Sequence, residues 1–204
     1  MLEDIDTPVL PFGLSDVNHD SLDVTGSLLL SQELNDRLRG HATRTGVSVA
    51  RICHLTWAVV VASTSGQERV VFGTLISGRR RSETSGSTMG PMINTLPIRV
   101  DIMDARVEES LYQVKSDISA LMEHKNASLT LAQGCSSVPA GIPLFSSLFN
   151  YRHKPAKSSD SSNITHMEIL DILERSNYPI TMNVDDSGSD LTLTCQAVHQ
   201  LIHR

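Results

Sequence analysis

The sequence predicts a two-layer α/β lobe in which helices pack on a mixed β-sheet, and three observations carry that prediction. Apolar residues recur at helical spacing over three separate stretches. Short β-branched runs bounded by turn residues lie between and after them. The last two runs are joined by Asp186-Ser187-Gly188-Ser189, a tight turn that makes part of the sheet antiparallel. At 204 residues the chain suffices for one domain with its own core, or for one lobe of something larger, and is too short for two full domains.

The elements follow in order. Residues 1–24 hold Pro8, Pro11 and Gly13 among acids, and read as an irregular linker entering the lobe rather than a packed element. Residues 25–204 are the lobe. From Ser31, a natural N-cap, to Thr45, Leu34, Leu38 and Ala42 recur every four residues, which predicts an amphipathic surface helix. Gly46 stops it. Ser48 caps a second helix in which Ile52, Leu55, Trp57 and Val59 to Val61 are apolar on nearly every side, so it is expected to be buried, and Ser65-Gly66 ends it. Arg69 to Ile76 fits a core strand. Residues 77–90 are small, polar or basic and predict a loop. Ile93 to Ile102 resumes strand character. Val107 to His124 sets Leu111, Val114, Ile118 and Leu121 on one helical face, with acids in the first turn. Leu144 to Tyr151 reads as a strand, residues 153–163 as an exposed low-complexity loop, and Met167 to Leu173, Pro179 to Val184 and Leu191 to Val198 as three more strands.

Composition excludes several classes of function. Apolar residues make up 40% and charged residues 20%, the balance of a chain that folds by burial. Seventeen basic against 23 acidic residues give a net charge of -6, and no basic stripe with interleaved aromatics appears, so nucleic acid is not an expected partner. The longest apolar stretch, Leu55 to Ala62, is far short of the ~20 residues that span a bilayer. Met1 to Asp6 is acidic and unlike a secretory signal, so the expected location is cytoplasmic. Cys53, Cys135 and Cys195 are odd in number, far apart and without a C-x-x-C, which predicts neither a disulfide framework nor a zinc site.

The familiar catalytic patterns also fail. Gly86-Ser87-Thr88-Met89-Gly90 has threonine where a nucleophile elbow needs serine. His199 and His203 are spaced i, i+4, but Gln200 stands where a metalloprotease helix carries its glutamate base. Arg79-Arg80-Arg81 has the guanidinium chemistry to grip a phosphate and the loop setting of a solvated run. His54 falls inside the apolar second helix, where a lone histidine is a core residue whose hydrogen bonds are met by its neighbours.

Several ordered segments resemble the second half of condensation domains of non-ribosomal peptide synthetases. Asp6-Thr7-Pro8-Val9-Leu10-Pro11-Phe12-Gly13-Leu14 is similar to the connection that leads into the C-terminal lobe in one group of them. Val70 to Thr74 followed by Ser77-Gly78-Arg79 looks like the family's strand and turn. Gly90-Pro91-Met92-Ile93-Asn94-Thr95 matches its G-x-x-x-N-T motif. His124 to Leu129 keeps the histidine and spacing of an H-x-x-x-P-F-E motif but none of its last three residues. Phe149-Asn150-Tyr151 and Arg175-Ser176-Asn177-Tyr178-Pro179 look like the last two family signatures.

The resemblance implies a chloramphenicol acetyltransferase-like half, one of two lobes that face each other across a channel. Substrates would reach that channel tethered to peptidyl carrier proteins by phosphopantetheine, with no cofactor bound directly. It also implies an N-terminal condensation lobe and an adjacent adenylation domain as partners, and neither nucleic acid nor membrane. The family joins amino acids with an H-H-x-x-x-D-G motif in its first lobe, and no two of the eight histidines here are adjacent. The chain is therefore expected to be inactive alone, to hold no catalytic residue and no metal, and to line the channel with Gly90, Asn94, Thr95, His124, Arg175 and Tyr178. A face built against another lobe is expected to be apolar and to drive self-association. The competing reading is a non-catalytic binding module that docks a carrier protein or a neighbouring synthetase domain.

Overall fold

The computed structural model describes residues 2–15, 23–77, 93–102, 106–153 and 176–199. Its six strands are β1 (Asp23–Leu29), β2 (Arg69–Ser77), β3 (Ile93–Asp101), β4 (Ser147–His153), β5 (Ile180–Asp186) and β6 (Leu191–Val198). The helices are α1 (Gln32–Thr45), α2 (Val49–Ser65), α3 (Val107–Glu123) and α4 (Leu129–Gly134). Ser77 and His153 close β2 and β4. The remainder of the loops expected at 77–90 and 153–163, and the strand expected at 167–173, lie outside the described residues.

Local chemistry sets the helix ends. The Ser31 hydroxyl accepts from Leu34 N at 3.4 Å at the start of α1, and Gly46 ends it at φ 62°, a left-handed conformation that glycine adopts without penalty. Gly66 closes α2 in the same way, its N–H donating to Ala62 O at 2.9 Å. In α3 the Glu109 carboxylate reaches back to Arg106 N at 3.4 Å.

The strands form one sheet in the order β1-β6-β5-β4-β2-β3. β4 is parallel to β2 and β5, and the remaining pairs are antiparallel, which gives the mixed sheet that the sequence predicts. The β5–β6 hairpin turns at Gly188 (φ 93°), where Ser187 N donates to Asp190 O at 3.0 Å.

The core lies between the sheet and the helices. Phe72, Phe149, Leu96 and Ile98 are fully buried from the sheet side, and Trp57, Ala58 and Val61 meet them from α2. The rings interlock: Phe149 sits 6.4 Å from Phe72 edge to face and 6.5 Å from Trp57. Burial of α2 is one-sided. Val59 and Val60, expected inside, are 46% and 41% exposed, because one face of the helix meets the sheet and no described element covers the other.

The opening segment, read from the sequence as an irregular connection rather than a packed element, carries one 3-10 turn, Pro11–Gly13, and packs on the core. Leu2, Ile5 and Val9 are buried in the core. Val9 N donates to Leu144 O at 3.0 Å and Val9 O accepts from Ser146 N at 3.2 Å, so a single bridge satisfies a backbone that no regular element serves. Asp4 accepts from Arg69 at 3.0 Å and Arg99 at 2.5 Å, which clips the segment to β2 and β3. Among the described residues no single helix is long and apolar enough to cross a membrane.

Candidate functional site

Alternation along the strands divides the polar residues between two faces. Gly73 is level with Leu148, Leu148 with Thr181, and Thr181 with Gln196, so these four share the face turned away from α2. Thr74 and Phe149 lie on the opposite face, toward α2, where His54 meets both.

The open face holds a groove of about 620 Å³ across β2, β4, β5 and β6. Its floor is polar and neutral. Asn150 Nδ2 donates to Asn183 Oδ1 at 2.9 Å across the parallel β4–β5 pair. Arg152 is held by both oxygens of Asp185, at 2.7 and 2.8 Å, which cancels its charge locally. Thr181 is 2% exposed, and among the described residues its hydroxyl has no hydrogen-bond partner. The expected apolar lining is thus present only in part: Leu75, Leu148 and Ile93 are interspersed with amides and hydroxyls.

Tyr178 lines a second groove of about 250 Å³ with Leu129, Pro143 and Phe145. It stacks on Phe145, ring centres 5.6 Å apart and planes 13° from parallel. Burial raises the Tyr178 pKa, so its hydroxyl stays protonated and can donate. The stack depends on Gly73, where a Cβ would fall 2.6 Å from the Phe145 ring and 3.0 Å from Leu148. Only a bare backbone lets Phe145 lie against the sheet there.

The other residues singled out by the sequence separate by face. Asn94 Nδ2 donates to Lys125 O at 2.8 Å and Ala127 O at 2.7 Å, fixing the turn between α3 and α4. Both of its side-chain N–H groups are spent on the chain's own backbone. Thr95, the next residue, is level with Leu75 and belongs to the open face. His124 is exposed, and its backbone holds the same turn: its N–H donates to Leu121 O at 3.0 Å and its C=O accepts from Ala127 N at 2.8 Å. Gly90 and Arg175 lie outside the described residues.

Among the described residues, burial holds His54 and Cys53 away from titration near neutral pH. His54 is buried, with Nδ1 donating to Ala50 O at 2.7 Å and Nε2 accepting from Thr74 Oγ1 at 2.9 Å. Burial lowers its pKa to about 4 and keeps it neutral. Burial, with the Asp186 charge adding to it, pushes the Cys53 thiol up to about 11. All three cysteines are free. Among the described residues no cluster of three His, Cys, Asp or Glu side chains is placed to hold a metal.

A polar cluster that sequence reasoning missed ties α1 to the β5–β6 hairpin. Asp186 Oδ1 accepts from Arg39 Nη2 at 2.7 Å and from Gly188 N at 2.9 Å, and Oδ2 accepts from Tyr151 Oη at 2.5 Å. Burial disfavours the carboxylate, but these hydrogen bonds outweigh it and hold the Asp186 pKa down at about 2. Asn35 Oδ1 accepts from Arg39 Nε at 2.9 Å, and its Nδ2 donates to Ser189 O. Arg39 and Asp186 are 147 residues apart, so no local pattern signals the pair.

Comparison with known proteins fits this architecture. The Condensation domain family model matches residues 8–203, and the chain belongs to that family. It is 56% identical over 201 residues to malpinin synthetase of Mortierella alpina, covering 97% of this chain and 3% of that protein. The chain thus spans a small fraction of the length of the synthetase it matches. The condensation domain from Monacolin K polyketide synthase MokA superposes with a TM-score of 0.72 at 16% identity, covering 96% of this chain and 48% of that one. The teicoplanin X-domain, solved in complex with OxyB, superposes with a TM-score of 0.74 at 14% identity, over 97% of this chain and 46% of that one. The fold is that of one half of a condensation domain, the chloramphenicol acetyltransferase-like half that the resemblance implies.

Proposed function

We propose that the chain is the C-terminal lobe of an amide-forming condensation domain of a non-ribosomal peptide synthetase and supplies one wall of its substrate channel. The observation that carries this reading is the family match over residues 8–203, combined with coverage of about half of a complete condensation domain. The reaction is attack by an acceptor amine on the carbonyl of a donor thioester, forming the amide and releasing the carrier's thiol. The amine must lose a proton on the way. A positioned base contributes typically ~10²- to 10⁴-fold to such a step. His54, neutral and bonded at both nitrogens, is not that base. The H-H-x-x-x-D-G histidine of an N-terminal lobe takes that role, and this lobe alone is inactive.

This lobe's own part is to hold and orient substrates delivered on phosphopantetheine by carrier proteins, in the cytoplasm, beside an adenylation domain. Thr95 and Tyr178 are assigned to the channel wall, with Gly90 and Arg175 from the family motifs and His124 at its margin. Asn94 acts indirectly, as the residue that positions the turn between α3 and α4. Orientation is itself a large catalytic effect, because two tethered reactants held in a reactive geometry no longer meet by diffusion.

A non-catalytic docking module is the second reading, favoured by the likeness to an X-domain solved in complex with OxyB. The flanking reading frames separate the two. A frame encoding H-H-x-x-x-D-G immediately upstream, with carrier and adenylation domains nearby, is expected for the catalytic lobe. An upstream lobe in which that motif has decayed would leave the docking module.

A further inference from the structure

We propose that the outer edge of β1 is an interface between two copies of this chain, which pair their β1 strands antiparallel about a two-fold axis and join the two sheets into one. The inference is independent of the condensation reading, since no β1 residue lines the groove.

The sheet has two edges, and they are built differently. β3, at one edge, carries Pro97, Arg99 and Asp101, and α3 and α4 pack against it. Proline, charge and a covering helix are the usual defences of an edge against pairing with another strand. β1, at the other edge, has neither proline nor charge from Val24 to Leu29. Among the described residues nothing covers it: residues 24–29 are exposed in an unbroken run, so both faces of the strand are open. Val24, Leu28 and Leu29 are 36%, 60% and 62% exposed, and a Cβ added at Gly26 would meet nothing within 4 Å.

Register shows which backbone groups are left over. Leu30 N donates to Leu191 O at 2.9 Å and continues the β1–β6 register, so the hydrogen-bonded pairs of this ladder fall on Val24, Gly26 and Leu28. The N–H and C=O groups of Thr25, Ser27 and Leu29 point away from β6, and among the described residues no strand receives them.

That edge complements itself. With Gly26 on the two-fold axis, Thr25 exchanges both backbone bonds with Ser27 of the second copy, and Ser27 does the same with Thr25. Gly26 meets Gly26 at the closely spaced position, where backbones approach to about 4.5 Å. Thr25 is level with Gln196 on the open face, so Val24 and Leu28 lie on the opposite side of the sheet, and there each faces the other across the axis. The same register sets Asp23, the one charged residue of β1, at opposite ends of the pair, about 20 Å from its counterpart. Neutrality and this two-fold match favour a second copy over a charged partner strand.

Sedimentation velocity of the full chain from micromolar to submillimolar concentration tests the interface, and hydrogen exchange of the backbone amides locates it. A monomer–dimer equilibrium is expected. The amides of Thr25 and Ser27 should gain protection as concentration rises, whereas those of Gly26 and Leu28, already bonded to β6, should change little. Thr25→Pro removes one outward N–H from each copy and leaves the bonds to β6 in place, so it should weaken the dimer by about ten- to a hundredfold. Thr25→Lys should act in the same direction and serves if the proline variant fails to fold. Val59→Lys on α2 and Ile93→Lys beside the groove should leave the dimer unchanged. A chain that stays monomeric throughout, a dimer untouched by a folded Thr25→Lys, or one lost with Val59→Lys or Ile93→Lys instead would overturn the proposal. So would dissolution of the dimer by an added N-terminal condensation lobe, because the edge would then belong to that lobe.

Discussion

Asp186→Asn should be among the most destabilising single changes in the lobe, and its cost should depend on pH. The carboxylate receives Arg39 and Gly188 N on one oxygen and Tyr151 on the other. Asparagine keeps one acceptor and presents an NH₂ group in place of the other, so either Arg39 or the Tyr151 hydroxyl meets a donor. Breaking a fully buried pair costs about 3–5 kcal/mol. Arg39 is 28% exposed and recovers some hydration, so the expected loss is about 2–3 kcal/mol. Urea unfolding of the full chain at pH 7 measures it. The folded Asp186 pKa, about 2, lies below the ordinary 3.8, so its contribution is present above pH 4 and is lost as pH falls from about 4 to 2. That shift corresponds to about 1–2 kcal/mol after allowance for solvent screening. The gap between wild type and variant should therefore narrow by about that much between pH 6 and 2.5. A gap under about 0.5 kcal/mol at pH 7, the range of ordinary surface changes, would refute the reasoning. A gap that stays constant on acidification would refute it equally.

Other expectations follow from the same geometry. His54, held at about 4 against an ordinary 6.5, makes the fold lose stability as pH falls from 6.5 toward 4, by at most roughly 3 kcal/mol. His54→Gln should flatten that part of the stability profile measured by urea unfolding, and a slope unchanged by the substitution would assign it elsewhere. Gly73→Ala should cost about 1–3 kcal/mol, because the new methyl collides with Phe145 and Leu148. Near-ultraviolet circular dichroism should report a disturbed Phe145–Tyr178 stack. Asn94→Asp should destabilise more than Asn94→Ala in thermal melts, since it turns a carboxylate toward two carbonyl oxygens that the amide now serves. Equal effects would show that those bonds contribute little.

What the sequence revealed depended on how local the cause was. α1 and α2 were legible because Ser31, Gly46, Ser48 and Gly66 mark their ends within a few residues of the pattern they terminate. β2, β3, β5 and β6 were legible from β-branched runs and the turn at 186–189. β1 was not. Thr25-Gly26-Ser27 carries no strand signal of its own and is held by β6, with Asp23 level with Val198 at the far end of the chain. α4, six residues long, has little beyond the Ser128 cap to announce it. The opening segment's burial was not legible because prolines argue against long elements without arguing against packing: Val9 is fully buried on the strength of one backbone bridge, and Pro11 opens a single 3-10 turn. At the site, the motif containing Asn94 and Thr95 was legible, but the division of the two onto opposite faces emerges only from strand register. Thr181 and Asn183 were read only as part of a strand, because a polar floor becomes visible only when four strands from distant parts of the chain lie side by side.

Product formation from two aminoacyl carrier proteins, followed by mass spectrometry, tests most directly whether this lobe is half of an amide-forming enzyme. The chain alone should give no amide. Addition of a matching N-terminal lobe carrying H-H-x-x-x-D-G should give product, at a rate below that of a covalently joined domain because the tether's effective concentration is lost. Loss of the second histidine in that added lobe should abolish it, and His54→Gln, His153→Ala and His199→Ala in this chain should not. Amide formation by the chain alone, removed by a change at one of its own histidines, would contradict the assignment.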